Sequence, residues 1–382
     1  MKVDVVRPGE LGPQELARWA AIQAADEALA SPFLSPQFAT AVGRARASTR
    51  VAVLSDGEGV VGFLPFEVRR LGFGAALAKG LSDVQGLIVS QEADIDLQRL
   101  VRECGLRSFD FDHLLASHER WLSGTSRFVH ERSPALDLSG GYDAYVRQQR
   151  DGSRSLFQST GRKRRKLERD HGPVRLVFDD ADPGLLDQVL RWKSDQYRRT
   201  GRVDRFANPT TRALVHDLLK VREGSFGAPL TALLAGDKVV AGHLGLRSRT
   251  TLAWWFPVYD TAYAAYSPGL VLCVELARAM TEEGLTLLDL GKGDELYKER
   301  LSNTEIALLQ GSVARDRLTA SLDRARRWPR EQVMRVVLES PGLRSRARAT
   351  LAGVGALREH ATRRRTGPTG DGRVGRRRRH GE

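Results

Sequence analysis

The pattern of apolar and polar positions predicts short strands alternating with helices, and part of this pattern occurs twice. Val53–Phe66 (VLSDGEGVVGFLPF) and Leu233–Leu246 (LLAGDKVVAGHLGL) align without a gap, and each has two apolar runs around a Gly/Asp turn, which predicts a hairpin. Gly105–Phe111 (GLRSFDF) and Gly284–Leu290 (GLTLLDL) repeat at nearly the same spacing as a helix-stopping glycine and a strand. We therefore expect two halves of one fold, with two related sheets.

The order of elements is clearest in the second half. The predicted elements are a strand at 174–179, helices at 185–200 and 211–222, the hairpin at 230–246, a strand at 251–258, a helix at 268–283, a strand at 285–290, a short helix at 295–300 and a strand at 305–313. A dinucleotide-binding Rossmann domain would alternate strand and helix regularly after a G-x-G-x-x-G motif, which is absent. We place the boundary between the halves in the basic, helical segment 142–172.

Length and composition fit a two-domain soluble protein. A chain of 382 residues exceeds the roughly 250 to 300 residues at which one core stops growing. The start of the chain lacks a secretory pattern and no apolar run reaches the ~20 residues of a membrane span, so we expect a cytoplasmic protein. Cys104 and Cys273 are the two cysteines and form no C-x-x-C motif, so no zinc thiolate cluster and no metal is expected.

The net charge of +13 is concentrated at the C-terminal end, where residues 322–382 hold 17 arginines and six acidic residues. We divide the chain into domains at 1–150 and 151–320, a helical extension at 321–362, and a disordered arginine-rich tail at 363–382. The tail has the charge to dock on nucleic acid or an anionic membrane. An arginine-rich coding bias is the simpler explanation.

The segment Tyr266-Ser267-Pro268-Gly269 predicts a helix start, with Ser267 as the N-cap and Pro268 in the first turn. The helix that follows is apolar nearly all round, so we expect it to be buried. Its free N–H groups and the positive end of its dipole suit a pyrophosphate. Many ordinary helices begin in this way, so the segment alone does not establish a binding site.

The second candidate site is the run Asp289–Lys298 (DLGKGDELYK), which directly follows a buried strand. Asp289 and Glu295 are candidate general bases, Tyr297 a candidate proton donor, and Lys298 a candidate partner for an oxyanion or a phosphate. The alternative for such a string is a capped turn followed by a solvated helix face.

Three further residues are unusual for purely structural positions. Lys193 falls on the apolar stripe of the helix at 185–200, where it either extends its amine to solvent or, with Gln196, binds an anionic substrate. His243 lies on the second hairpin, where a buried histidine is more often hydrogen-bonded scaffold. The basic run 162–166 (RKRRK) is typical of an exposed helix face, and nucleic-acid binding is the minority interpretation because no aromatic residues are interleaved with it.

Three motifs resemble one family: WKSDQYRRTG (192–201), Y-D-x-x-Y-A-x-Y-S-P-G (259–269) and LDLGKGDELYK (288–298). They are similar to the CelD/BcsL-like acetyltransferases associated with exopolysaccharide synthesis, which belong to the GNAT superfamily and are related to the Fem-type peptidoglycan aminoacyltransferases. The likeness spans roughly 30–315 and includes SPFLSPQF (31–38) and the SDVQG segment around Asp83. The order of elements in the second half also agrees with the GNAT fold.

The resemblance implies an α/β protein of two tandem GNAT-like domains, with an acyl donor bound mainly by the second. It implies catalytic roles for Tyr297 and Lys298, and donor phosphates at Ser267, Pro268 and Gly269, flanked by Tyr266. The glycine-rich Q/R-x-x-G-x-G/A loop usual in this superfamily is absent. Asp83 in the first domain and Tyr259 in the second motif are candidate acceptor-binding residues.

We expect acyl transfer, with acetyl from acetyl-CoA as the first candidate, to an amine or hydroxyl of a sugar, an exopolysaccharide or a cell-envelope precursor. Because no Ser/His/Asp or Cys/His pattern is evident, the acceptor would attack the thioester directly. Two alternatives stay open: a Fem-like aminoacyl-tRNA-dependent ligase, in which 162–166 would hold tRNA, and a non-catalytic GNAT adaptor in polysaccharide assembly. The oligomeric state is not specified by these patterns.

Overall fold

The computed structural model describes residues 1–90, 92–148 and 151–321. The predicted helical extension from 322 and the arginine-rich tail lie outside these residues. No helix in the described ranges is both long enough and apolar enough to cross a membrane.

The elements of the first half follow the repeated pattern. In chain order they are β1 (Lys2–Val6), α1 (Pro13–Ala25), α2 (Pro36–Ala45), β2 (Thr49–Ser55), β3 (Val60–Val68), β4 (Phe73–Ala76), β5 (Ile88–Val89), α3 (Leu97–Glu103), β6 (Ser108–Leu115) and β7 (Ser126–Asp137). The hairpin predicted at Val53–Phe66 is β2 and β3, and the strand predicted after Gly105 is β6, so both predictions are confirmed.

The second half repeats this order after two connecting helices. Its elements are α4 (Tyr142–Gln148), α5 (Asp151–His171), β8 (Val174–Asp180), α6 (Pro183–Arg199), α7 (Pro209–Lys220), β9 (Arg222–Glu223), β10 (Phe226–Gly227), β11 (Leu230–Ala235), β12 (Lys238–Arg247), β13 (Thr251–Tyr259), α8 (Pro268–Glu282), β14 (Leu287–Asp289), α9 (Leu296–Leu301) and β15 (Thr304–Ala314). The strands and helices predicted from 174 to 313 are confirmed within a few residues.

The two halves match strand for strand. β4 pairs in parallel with β6, with Phe73 opposite Ser108, and β13 pairs in parallel with β14, with Thr251 opposite Leu287. Asp110 and Asp289 therefore occupy equivalent register positions, opposite Ala75 and Ala253. The internal repeat in the sequence is a repeat in structure.

The expectation of two separate sheets is wrong, because the strands form one continuous sheet. Each half passes its last strand to the other: β7 pairs with β14, β15 pairs with β6, and β7 and β15 pair with each other in antiparallel order. The long β7·β15 register, from Thr304 opposite Ala135 to Val313 opposite Ser126, joins the halves at the centre. The mixed α/β class that the sequence predicts is confirmed.

Side chains from both halves also share one hydrophobic core. Trp255 of β13 packs edge-to-face against Phe33 and Phe38, with ring centroids 5.6 and 6.4 Å apart. Its indole N–H donates to the carbonyl oxygen of Leu81 at 2.8 Å. This bond fixes the start of the SDVQG segment of the first half against the central strand of the second.

Candidate functional site

A cleft of about 840 Å³ opens where β13 and β14 diverge. The two strands pair only from Thr251 to Ala253, and beyond that point β14 ends at Asp289 while β13 continues to Tyr259. The cleft is closed by α6, by the loop after α6, by the loop after β14 and by the segment around Asp83. Its lining includes Asp83, Lys193, Gln196, Tyr197, Arg202, Arg205, Trp254, Pro257, Gly291, Lys292, Glu295, Tyr297 and Lys298.

Asp83 is held at the cleft by the rest of its motif. The side-chain amide of buried Gln85 donates to Asp112 Oδ1 at 2.7 Å and to Ser82 Oγ at 3.1 Å, and its Oε1 accepts from the backbone N–H of Asp112 and His113. Burial, followed by the negative charge of Asp289, raises the pKa of Asp83 to about 6. A positioned carboxyl group that titrates near neutrality suits a general base.

Lys298 organises the loop after β14. Its ammonium Nζ donates to the carbonyl oxygens of Gly291 at 2.9 Å and Lys292 at 3.3 Å, and lies 3.3 Å from Glu295 Oε2. The two carbonyl oxygens take two of its three donors, the contact with Glu295 is an ion pair, and the side chain is buried. Lys298 therefore shapes this loop and places a positive charge beside it, but it is not a free cation waiting for an oxyanion.

The other residues of the Asp289–Lys298 run have roles that differ in part from the prediction. Asp289 is 2% exposed and lies beneath the cleft, where Oδ1 accepts from Ser133 Oγ at 2.5 Å and from Gly291 N at 2.9 Å. Burial raises the pKa of Asp289. The negative charge of Asp289 in turn raises the pKa of Asp83, and its hydrogen bond from Gly291 N holds the loop. Burial alone would raise the pKa of Glu295, but the Lys298 ammonium makes the net shift downward, which is unfavourable for a base at neutral pH.

Tyr297 faces the cleft with its phenol protonated. Burial raises the pKa of Tyr297 well above its usual range, and its oxygen accepts a hydrogen bond from Trp254 Nε1 at 3.3 Å. A protonated phenol can donate a hydrogen bond into the cleft. The role of Tyr297 as a proton donor stays a prediction.

Lys193 lies at the base of the cleft, on the inner face of α6. Its Nζ donates to the carbonyl oxygen of Pro257 at 2.7 Å, and the residue is only 8% exposed. Burial, with added repulsion from Arg202, Lys298 and Arg205, lowers the pKa of Lys193 to about 7. Gln196 lines the same cleft one turn further along α6.

Two predicted substrate-binding residues lie outside the cleft. His243 is fully buried behind it, stacked on Trp254 with centroids 4.4 Å apart, and Nε2 lies 3.2 Å from the carbonyl oxygen of Ala253. Burial lowers its pKa to about 3, so it is neutral scaffold. Tyr259 lines a separate surface cavity with Trp192 and packs beside Gly269.

The predicted donor-phosphate segment begins α8, past the end of β13. Ser267 is the N-cap residue and Pro268 is in the first turn, as predicted, but Ser267 has a left-handed backbone with φ 49° and its side chain makes no capping bond. Its hydroxyl instead accepts a hydrogen bond from Lys163 Nζ of α5 at 2.5 Å. The Tyr266 phenol donates to Asp170 Oδ2 at 3.0 Å, and the Lys166 ammonium lies over its ring.

The structure thus brings together Asp83, Lys193, Gln196, Glu295, Tyr297 and Lys298, with Asp289 beneath them. Sequence reasoning missed Arg202, Arg205 and Trp254, which also line the cleft. The two arginines follow the WKSDQYRRTG motif. Their position could have indicated a cleft, because a charged loop directly after a helix often borders one. Trp254 could not be separated from core residues in its apolar strand.

Residues 154–299 match the family described as Acetyltransf_6, Acetyltransferase (GNAT) domain. No curated protein matches the chain. Among solved structures, the C-terminal domain (DUF2156) of a putative lysylphosphatidylglycerol synthetase from Agrobacterium fabrum is 13% identical, with TM-score 0.52 over 81% of this chain and 94% of that one. A conserved protein of unknown function from Bacteroides thetaiotaomicron is 14% identical, with TM-score 0.52 over 78% and 97%. FemX is 10% identical, with TM-score 0.49 over 82% and 97%.

The first two structures share the fold of this chain over most of their length. The family match covers α6, the β11–β13 strands, α8, β14 and most of α9, which together form most of the cleft. The second half of this chain therefore contains a GNAT acetyltransferase domain, and the protein is an acyltransferase.

Proposed function

We propose that the protein transfers an acyl group, with acetyl as the first candidate, from acyl-CoA to an amine or hydroxyl of a sugar, exopolysaccharide or cell-envelope precursor. The observation that carries the proposal is the placement of Asp83, with its pKa of about 6, in the cleft between β13 and β14. The GNAT domain match supports acyl-CoA as the donor. The sugar or envelope acceptor rests on the CelD/BcsL-like motifs in the sequence.

The residues at the mouth of α8 fit a phosphorylated donor. The helix begins without a side-chain cap, and Lys163 and Lys166 of α5 lie beside its first turn. From there β13 leads into the cleft along the edge that β14 leaves unpaired after Ala253. An extended chain of amides can bond to such an edge, as a β-strand does. The donor supplies the activated acyl carbon, and the side chains of the cleft hold the reacting groups in position around it.

The residues of the cleft then have distinct roles in this proposal. Asp83 accepts the proton of the acceptor amine or hydroxyl as the new C–N or C–O bond forms. Tyr297 donates a proton to the departing sulfur as the C–S bond breaks, and solvent restores both groups. Lys298 keeps the loop in place and contributes positive charge near the developing oxyanion. Most of the acceleration comes from positioning, since no covalent intermediate is needed.

One observation favours a second candidate, an aminoacyl-tRNA-dependent transfer of the Fem type. The residues Arg162, Arg165 and Arg169 are exposed and follow one another at helical spacing along α5. Lys163 and Lys166 of the same helix contact Ser267 and Tyr266 at the start of α8. The exposed arginines have the sign of charge that a nucleic-acid backbone requires.

Calorimetric titration of the full chain with acetyl-CoA tests the first proposal. The matched variants are Gly269→Asp, which puts a carboxylate at the start of α8, and Gly269→Asn, which has the same shape without the charge. We expect acetyl-CoA to bind the wild type and the Asn variant, and the Asp variant to bind at least tenfold more weakly. Absence of acetyl-CoA binding, together with steeply salt-dependent binding of tRNA, would reject it in favour of the second candidate.

A further inference from the structure

Positive charge exceeds negative charge in the cleft. Five basic side chains line it (Lys193, Arg202, Arg205, Lys292 and Lys298), against the two acidic side chains Asp83 and Glu295. Lys292 pairs with Glu131 at 2.8 Å, and the single carboxylate of Glu295 is shared by Lys298 at 3.3 Å and Arg202 at 3.5 Å. The excess charge therefore resides on Lys193 and Arg205, together with the part of the Arg202 charge that the shared carboxylate leaves unbalanced.

These three cations act on one another. Arg202, Lys298 and Arg205 all add to the burial that lowers the pKa of Lys193, and Glu295 acts in the opposite direction. The Arg202 guanidinium lies 3.5 Å from Glu295 Oε1, a long contact for a charge-assisted hydrogen bond, and its side chain is 68% exposed. An anion between the three side chains would relieve this repulsion.

The loop that carries the two arginines is anchored. Asp204 lies between them, and its Oδ1 accepts from Phe206 N at 3.0 Å and from Ser194 Oγ of α6 at 3.1 Å. Phe206 is 1% exposed and packs against Phe256 of β13 with ring centroids 4.9 Å apart. The backbone of Arg202 and Arg205 is therefore fixed relative to the cleft that both residues line, so binding of a ligand does not have to order the loop.

We infer that the cleft binds an anionic group of the acyl acceptor, a phosphate or a carboxylate, between Arg202 and Arg205, with Lys193 below it. That the anion belongs to the acceptor rests on the proposed function; the anion site itself does not. Guanidinium groups present paired N–H donors that match the oxygens of phosphate and carboxylate. The amine or hydroxyl to be acylated would then lie deeper, towards Asp83.

The test is calorimetry on the full chain with two probes, inorganic pyrophosphate and malonate, at equal ionic strength and with saturating CoA. The variants are Arg202→Gln and Arg205→Gln, and the control is Arg191→Gln, an exposed arginine of α6 outside the cleft. We expect at least one probe to bind the wild type and the control equally. Each cleft variant should lose tenfold or more in affinity, which corresponds to about 1.4 kcal/mol for a lost charge-assisted bond.

A second readout distinguishes this site from the donor site. Binding near Lys193 should draw a proton onto its amine at pH 7.5, so the apparent enthalpy will depend on the ionisation enthalpy of the buffer, and this dependence should vanish in Lys193→Met. The inference is overturned if neither probe binds, or if binding is unchanged in both arginine variants. If acetyl-CoA fails to bind while the arginine-dependent anion site persists, the proposed donor is wrong and the anion site stands.

Discussion

The carboxylate of Asp83 lies so close to the backbone of Gly291 that a Cβ on Gly291 would be 3.4 Å from Asp83 Oδ2. Asp83 comes from the first half of the chain and Gly291 from the loop after β14 in the second. The cleft is therefore assembled across the two halves, and a side chain at residue 291 would contact the Asp83 carboxylate directly.

Gly291→Ala should reduce activity through this contact. Gly291 has φ 72°, so alanine there costs about 1–2 kcal/mol of backbone strain and also places a methyl group against the Asp83 carboxylate. Gly284 has the same φ of 72° with no atom near its would-be Cβ, which makes Gly284→Ala a matched control. We expect both variants to lose similar stability in urea unfolding and only Gly291→Ala to lose roughly tenfold or more in kcat. Equal kcat in the two variants would contradict the contact.

Asp83→Asn should remove the acid limb of the pH–rate profile. Because Asp83 must be deprotonated to act as a base, wild-type kcat/KM should rise with pH through about 6. The variant should lose about 10²- to 10⁴-fold in kcat and show no such inflection. Asp294→Asn, at an exposed position in the loop after β14, should keep the wild-type profile. An unchanged inflection in Asp83→Asn would assign the base to another group.

The same Asp83→Asn variant should be more stable than the wild type at pH 8. Burial and Asp289 raise the pKa of Asp83 in the folded state above its unfolded value, so ionisation of Asp83 opposes folding. The penalty is absent below the unfolded pKa near 4, grows as pH rises and is complete above about 6. Urea unfolding at pH 4.5 and pH 8 should therefore show a stability gain for the variant that is larger at pH 8. A loss at pH 8 would mean that the carboxylate is a structural anchor.

Lys193→Met should show the opposite linkage. The pKa of Lys193 is about 7 in the folded protein, far below the ordinary lysine value, so the unfolded chain binds the proton more tightly. The resulting penalty is fully present below pH 7 and is relieved as pH rises from 7 to about 10.5. Relative to the Met variant, the wild type should thus gain stability between pH 7 and pH 9.5, measured by urea unfolding. Lys220→Met, at the exposed end of α7, should show no such trend.

Separate fragments 1–148 and 151–321 should not fold alone. Each fragment carries a long strand, β7 or β15, whose partners on both sides belong to the other fragment. We expect neither fragment to unfold cooperatively by itself, and an equimolar mixture to regain a cooperative transition in thermal denaturation. Cooperative unfolding of either fragment alone would show that the exchanged strands are dispensable.

The sequence predicts the local elements well because hairpins and helix ends are encoded by neighbouring residues. The turns at Gly57 and Gly236 and the helix start at Pro268 are examples, and each lies where the pattern placed it. The pairing of β7 with β14 was not predictable, because the alternation of apolar and polar residues in a strand does not specify which other strand it pairs with. The sequence repeat shows that the halves are related, but it contains no signal that their last strands are exchanged.

The candidate site was predictable only in part, for a similar reason. Lys193 was noticeable as a lysine on the apolar stripe of its helix, and Lys298 and Asp83 through the motif resemblance. The burial that makes His243 neutral, and the carbonyl oxygens that occupy Lys298, depend on strands distant in sequence. Likewise, the relation of Arg202 and Arg205 to Lys193 requires the loop to fold back over α6, which no local pattern specifies.

The exchange of β7 and β15 also constrains how such a protein can evolve. A chain whose two related halves exchange their last strands cannot be divided at its midpoint and joined to a different half, because each half would lose the strands that pair with its own. Mutations that weaken one half affect the other, so neither half can be lost separately. The first half is retained because it completes the sheet of the second half and also supplies Asp83 to the cleft.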